Sequence, residues 1–350
     1  MELGSNYDLD ITQLNEVSNN VQSYLGGCAK VYTDSGRSAI RFLLQKCTKV
    51  KVLLPSYICR SVVDCFDEGW DIEYYTVNER LEADMDEVKR LLDSSVGIIY
   101  VMHYFGILQG REFLDYIIEK KKQYNYIILE DTTHSFLTGS NKIGDYIICS
   151  LRKWFPIPDG GVLYSYSHEL PQNELPNNGM SATVTEAMLM KYLYLQRGAD
   201  CNQEYRDMFA RAEKELDNRE GISCISDMSA VLLDYFDIDL IAERRRENWN
   251  YLQENMNFGG IIPVYRSKAN SFVPFTFPVM VEDRDNFRKY MIENKIYCAI
   301  HWPMETEEQQ QIEMNRRIGQ HIISLPIDQR YSIEEMRYMV KIMKRYDTMI

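Results

Sequence analysis

From about residue 30 to residue 170, short apolar runs alternate with stretches whose apolar positions fall three and four apart. "RSAIRFLLQKC" has helical spacing, with Ala39, Leu43 and Leu44 facing inward. "KVLLP" is a brief apolar run closed by Pro55, and "DIEYYTV" is a β-rich run after Gly69 and Trp70. "ADMDEVKRLLDSS" is amphipathic, with Met85, Val88, Leu91 and Leu92 on one side. "VGIIYVM" reads as a buried strand, "REFLDYIIEKKKQY" as a helix, and "YIILED", "DYIICS" and "GVLYSYS" as further strands. Strands alternating with helices predict an α/β domain at residues 28–170 whose mainly parallel sheet is covered on both faces.

The pattern changes at "PQNELPNNG", residues 171–179, which is polar and rich in proline and asparagine and reads as a loop or boundary. Helical spacing follows in "TVTEAMLMKYLYLQRG", "QEYRDMFARAEKELDN" and "LIAERRRENWNYLQENM". The tail alternates again: "FVPFTFPVMV", a helix in "RDNFRKYMIENK", "IYCAIHWP", "HIISLPI" and a last helix in "SIEEMRYMVKIMKRY". The expected organisation is an N-terminal segment (1–27), a large α/β domain (28–170), a helical connector (171–225) and a small α+β domain (226–350).

Composition narrows the class. The 350 residues are 45% hydrophobic and 26% charged, as in an ordinary soluble globular protein. The formal charge of −13 argues against broad nucleic-acid binding and leaves room for a local anion site. "MELGSNYDLD" has neither the basic start nor the apolar stretch of a signal peptide, and no apolar run approaches the ~20 residues of a membrane-spanning helix. The eight cysteines are scattered, without metal-ligand spacing, which predicts packed thiols in a cytoplasmic protein and no metal site.

Candidate chemistry collects at the predicted strand ends, where open α/β sheets place their ligands. Lys153 comes three residues after one apolar strand and just before the apolar "WFPIPDGG". It is either a solvated lysine or, if desolvated there, a Schiff-base lysine of depressed pKa. Asp131 closes "YIILED" as a capping aspartate or as the partner of a cationic heterocycle, and His134 either packs or bonds the same ligand. "TDSGRSAI" sets Ser35, Gly36, Arg37 and Ser38 before a helix, a plain N-cap or a phosphate cradle. Ser150 adds a hydroxyl at a strand end, and "HYFG", residues 103–106, adds aromatics that either pack the core or cover a planar ring. A phosphate cradle, a carboxylate for a pyridinium nitrogen and a Schiff-base lysine are the parts a pyridoxal phosphate enzyme must supply.

Taken in order, "DSGRSAIRFLL", "VLLPSYICRSVVDCFDEGWDIEYYTV", "YVMHYFG", "ILEDTTHSF" and "GDYIICSLRKWFPIPDGGVLYS" resemble the fold-type I pyridoxal phosphate enzymes, most closely the DegT-type sugar aminotransferases. "SDMSAVL", "RRRENWNYL" and "IISLPIDQRYSIEEMRYMVKIMK" extend the resemblance through the C-terminal half. It implies a large domain with a seven-stranded sheet, a smaller C-terminal domain and a pyridoxal 5′-phosphate cofactor. It also implies transfer of an amino group from an amino acid, glutamate or glutamine, to a nucleotide-linked keto sugar. Lys153 would be the internal aldimine lysine and proton shuttle, Asp131 the partner of the pyridine nitrogen, and His134 a contact of the phenolic oxygen. Gly36, Arg37, Ser38 and Ser150 would take the phosphate, and Tyr57 would lie against the ring face. A cytoplasmic homodimer with shared sites is implied, in which residues of "SDMSAVL" and "RRRENW" are candidates to reach the partner's site. "AIHWP", with His301 and Trp302, is either a substrate-side wall or a strand end packed by tryptophan. Other readings on the same scaffold are a lyase, dehydratase or decarboxylase, and a non-catalytic binding or regulatory protein.

The sequence departs from the family pattern at three places. Only Leu151 and Arg152 separate Ser150 from Lys153 where four residues are usual, and Arg152 stands where a threonine precedes the lysine. Arg37 replaces the threonine of the Ser-Gly-Thr turn, and the segment from Pro55 to Gly69 is one residue short. The two arginines point either to altered contacts with an anion or, for Arg152, to a salt bridge with an acidic neighbour.

Overall fold

The computed structural model describes every residue except 1, 15, 49, 67, 140–141, 172–173, 304–311 and 350, and the side chain of residue 13. Two positions of the 171–179 boundary therefore lie outside the described residues. Ten strands and ten helices organise the chain. The strands are β1 (Ala29–Thr33), β2 (Lys51–Pro55), β3 (Asp71–Tyr75), β4 (Val96–Met102), β5 (Ile127–Asp131), β6 (Tyr146–Cys149), β7 (Gly161–Ser165), β8 (Ile261–Pro263), β9 (Phe277–Val281) and β10 (Ile322–Leu325). The helices are α1 (Gly36–Leu44), α2 (Met85–Leu91), α3 (Arg111–Tyr124), α4 (Ser181–Arg197), α5 (Asn202–Asn218), α6 (Asp227–Leu232), α7 (Ile238–Asn255), α8 (Arg284–Glu293), α9 (Glu313–His321) and α10 (Ile333–Asp347). The chain is an α/β protein whose central strands are mostly parallel and flanked by helices.

Two compact units interleave along the sequence: Met1–Ser5, Lys49–Ile143 and Asp239–Ile350 form one, and Asn6–Thr48 with Gly144–Ile238 form the other. In the first unit, β5, β4, β2 and β3 lie side by side in that order, all parallel. Every residue of β4 except Gly97 is buried, as a strand covered on both faces requires. Its last residue, Met102, is paired with Asp131, the last residue of β5, so the two strands deliver their ends to one edge. Asn125, in the left-handed conformation, ends α3 and returns the chain into β5.

The same unit holds a second, antiparallel sheet in the order β10-β9-β8. Trp249 and Leu252 of α7, Phe287 of α8 and Met336, Met339 and Ile342 of α10 close a core around Phe277 and Val279 of β9. Each fully buried side chain of this size contributes about 1.5–3 kcal/mol relative to exposure. The tail differs from its pattern in two ways. The run "IYCAIHWP" keeps only Ile296–Tyr297 as strand, and the polar stretch before β10 forms α9, held by a one-sided apolar stripe that includes buried Ile318.

The second unit contains β1, β7 and β6 side by side, with β7 antiparallel to both neighbours, and the α4–α5 helical pair. The pattern reading passed over β1, because "AKVYT" is a half-buried end strand with neither a continuous apolar run nor clean alternation. Among the described residues no helix is long and apolar enough to cross a membrane.

Candidate functional site

Asp131, His134 and Tyr57 belong to the first unit, and Gly36, Arg37, Ser38, Ser150 and Lys153 to the second. In the first, Glu130 and Asp131 are consecutive residues at the end of β5, so their side chains leave opposite faces of the strand. Both are buried. Glu130 pairs with Nε2 of His103 at 3.0 Å, while Nδ1 of His103 accepts the Gln109 N–H at 3.1 Å. That acceptor role places the ring proton on Nε2, where it is donated to Glu130. Asp131 accepts the Tyr100 hydroxyl at 2.6 Å and the Thr133 N–H at 2.8 Å. Burial raises its pKa, and these two donors counter the rise in part. A carboxylate held this way is oriented, and a cationic partner would relieve the cost of its charge.

Aromatic rings enclose His134. It stacks on Phe275 at 4.3 Å and 20° and on Trp302 at 5.1 Å and 21°, with Phe105 and His301 each 5.2 Å away. Arg245, 1% exposed, donates to the Phe275 carbonyl at 2.7 Å and fixes the backbone behind that stack. Tyr57 is fully buried: its hydroxyl donates to the His301 carbonyl, and its ring lies 5.7 Å from Trp302 and 6.1 Å from Tyr104. His301 is held by Ser324 through Nδ1 at 2.9 Å. Both alternatives for "AIHWP" are thus partly met, since Trp302 packs, and what it packs on is His134.

In the second unit, Ser35 is the N-cap of α1: its hydroxyl accepts the Ser38 N–H at 3.2 Å, meets the Ser38 hydroxyl at 3.2 Å and donates to Asp34 at 3.0 Å. Gly36 opens the helix against Ser150, where a Cβ would stand 3.2 Å from the serine Cβ. At Gly161 the approach is closer still, since a Cβ would lie 2.3 Å from the Ser35 carbonyl group. Gly160 donates its N–H to the Asp34 carbonyl at 2.7 Å. The two adjacent glycines therefore let the Asp34–Gly36 turn lie against the start of β7. Gly36, Ser38 and Ser150 come together, and helix-start N–H groups beside two hydroxyls fit a phosphate.

Two sequence expectations need correcting here. Arg37 turns its guanidinium to α5, 2.7 Å from Asp217 and 3.6 Å from Glu213, so its main-chain N–H is what it brings to the helix start. Lys153 ends a 3-10 turn, Leu151–Lys153, and is exposed, while Trp154 and Phe155 take the buried places that were expected to desolvate it. Arg152 pairs with an acidic neighbour, Glu213, at 2.8 and 2.9 Å.

The segments expected to reach a partner's site have partners in their own chain. Ser226 and Ser229 of "SDMSAVL" donate to Asp159, which also accepts Asn178 at 2.9 Å. Arg246 donates to the Phe272 carbonyl at 3.0 Å, alongside the buried Arg245. Asp34, Asp159, Glu213 and Arg219 went unnoticed in the sequence. The signal for Asp159 was its place before two glycines, whereas the pairing of Arg219 with Asp34 spans 185 positions and left no local trace.

No family model matches the chain. A curated relative, the dTDP-3-amino-3,6-dideoxy-alpha-D-galactopyranose transaminase of Aneurinibacillus thermoaerophilus, is 24% identical over 272 residues, 74% of this chain and 68% of the relative. Among solved structures, Helicobacter pylori PseC, an aminotransferase involved in the biosynthesis of pseudoaminic acid, matches with a TM-score of 0.66 at 14% identity, covering 100% of both chains. S. venezuelae DesV in complex with a ketimine intermediate matches with a TM-score of 0.65 at 15% identity, over 93% of this chain and 87% of that one. The fold is that of the fold-type I aminotransferases, and the resemblance to sugar-modifying members extends to the sequence.

Proposed function

We propose that this chain is a pyridoxal phosphate-dependent aminotransferase that passes the amino group of an amino acid, glutamate or glutamine, to a nucleotide-linked keto sugar. The observation that carries the reading is Asp131: a buried carboxylate at a strand end, oriented by Tyr100 and Thr133 and costly to ionise without a cationic partner. The transaminase relative supplies the acceptor class. When bound, the cofactor supplies the aldehyde and the electron sink. Lys153 would hold that aldehyde and, once displaced, move the proton through Nζ. Asp131 would keep the ring nitrogen protonated, and His134 would bond the phenolic oxygen. Gly36, Arg37, Ser38 and Ser150 would take the phosphate, while Tyr57 would close the ring face.

The reading carries an organisation with it. Residues 28–170 would form the cofactor domain, 171–225 a helical connector and 226–350 the small domain, after an N-terminal segment. The enzyme would act in the cytoplasm as a homodimer with shared sites. Leu189 and Leu193 of α4, 47% and 39% exposed and one turn apart, are apolar surface that dimerisation would cover.

The test is a visible spectrum of the protein with added pyridoxal phosphate, before and after borohydride, followed by peptide mapping. A band reduced onto Lys153, bleached by glutamate or glutamine and restored by a nucleotide-linked keto sugar with formation of the amino sugar, is the expected result. No band, or adducts on other lysines only, would overturn the reading. A band with deaminated or decarboxylated product in place of the amino sugar would replace it with a lyase or decarboxylase.

A further inference from the structure

Arg37 and Arg152, the two residues that stand where the resembled family has threonines, converge on one carboxylate. Glu213 of α5 accepts Nη1 and Nη2 of Arg152 at 2.8 and 2.9 Å and lies 3.6 Å from Nη2 of Arg37. This end-on pairing fixes the plane of the Arg152 guanidinium and leaves its Nε–H on the other edge. That nitrogen is buried and has no hydrogen-bond partner. Unsatisfied buried donors are rare in folded proteins, and each calls for an explanation.

The surroundings of Arg152 point to one. Its main-chain N–H reaches the Gly160 carbonyl at 3.4 Å, and Gly160 in turn donates to Asp34, the residue before the N-cap of α1. Two positions earlier, Ser150 lies against Gly36. Arg152 is therefore tied on its main-chain side to the helix start and on its guanidinium side to α5.

We propose that Arg152, aimed by Glu213, binds the cofactor phosphate through its Nε–H, in place of the hydroxyls the family pattern provides at positions 37 and 152. The inference rests on the pyridoxal phosphate reading above. In it, Glu213 is a positioning residue: it occupies two of the guanidinium nitrogens and presents the third. The short link from Ser150 to Lys153 then has a function, since it places the arginine on the same turn as the lysine.

Pyridoxal presents the same aldehyde without the phosphate, so comparing the two ligands isolates this contact. Apo protein would be titrated with each, in the wild type and in R152M, R152K and E213Q, with circular dichroism to establish folding. R152M should weaken pyridoxal phosphate about 10- to 100-fold and leave pyridoxal within about twofold, as loss of a charge-assisted bond to a phosphate predicts. R152K should stay weakened, because an ammonium cannot serve Glu213 and the phosphate in one plane, and E213Q should fall between R152K and wild type. Parallel weakening of both ligands, or unchanged affinity for pyridoxal phosphate in a folded R152M or R152K, would overturn the proposal. If R152M does not fold, the other two variants decide it. A wild type that fixes neither ligand on Lys153 under borohydride would overturn the functional reading itself, and this inference with it.

Discussion

Asp131 and Glu213 are both carboxylates in the candidate machinery, yet their surroundings treat them in opposite ways. Burial pushes Asp131 up, and only neutral donors, Tyr100 and Thr133, bond to it. Glu213 is held well below the usual carboxylate range, first by Arg152 and further by Lys153 and Arg37. The rest of each region follows its carboxylate. Around Asp131 the material is aromatic: Tyr100, and the rings that enclose His134. Around Glu213 it is ionic, with two guanidiniums and a lysine arranged along α5. One region is prepared for a cation it does not contain, and the other already holds an excess of positive charge. A ligand with a cationic ring and an anionic phosphate has the complementary distribution.

The sharpest way to break this comparison is to remove the lysine. K153A should lower turnover by about a thousandfold or more, since a positioned proton-transfer group alone is worth 10²–10⁴-fold. It should leave the unfolding midpoint nearly unchanged, because the side chain is exposed. Steady-state kinetics beside a urea titration checks both, and a K153A protein with substantial turnover would end the catalytic assignment.

D131N comes next. Turnover should fall about 10²- to 10³-fold, the range seen when one preorganised electrostatic group is removed. Stability supplies a second readout. A carboxyl whose folded pKa is raised contributes stability that is full below its unfolded pKa and lost as pH rises through the folded value. The apo wild type should therefore lose stability relative to D131N as pH climbs out of the carboxylate range, and bound pyridoxal phosphate should cancel that loss. Parallel pH profiles for the two apo proteins would show that Asp131 is not under strain from burial.

G161A tests the polar region through its backbone. The added Cβ would meet the Ser35 carbonyl group at 2.3 Å, and no flexible side chain is there to yield. A loss of about 1–3 kcal/mol is expected, as in overpacked interiors. G36A faces only a serine Cβ at 3.2 Å and should cost less. Denaturant midpoints order the two, and the reverse order would mean that the turn is not seated on β7.

How legible these regions were in the sequence follows from how local their physics is. The buried strands β4 and β5 and the amphipathic helix α3 show in short windows, because a covered strand must be continuously apolar and a helix face must repeat. Asp131, Ser150 and Lys153 were visible as polar residues at the ends of such runs. Glu130 was visible too, but its partner His103 lies 27 residues away and no window contains both. The interleaving of the two units was hidden for a similar reason: chain order says which elements exist, not which of them pack together. The exposure of Lys153 was misjudged because the apolar stretch after it buries Trp154 and Phe155 and turns the lysine outward.

The smallest expected effect is the pH dependence of the ionic region. A carboxylate whose folded pKa is depressed contributes stability present above its unfolded pKa and lost as pH falls through the folded value. Glu213 should thus stabilise the wild type relative to E213Q near neutrality, and the difference should shrink as acid protonates it. The difference at pH 7 should be no more than about 1 kcal/mol, because the Glu213 side chain is 48% exposed and solvent screens the pairing. Added salt should reduce it at pH 7, whereas the D131N comparison, made in a buried setting, should hardly respond to salt. Unfolding midpoints of the three proteins across pH and ionic strength would separate the two carboxylates. If both respond to salt alike, the contrast between an aromatic and an ionic region fails at its most direct point.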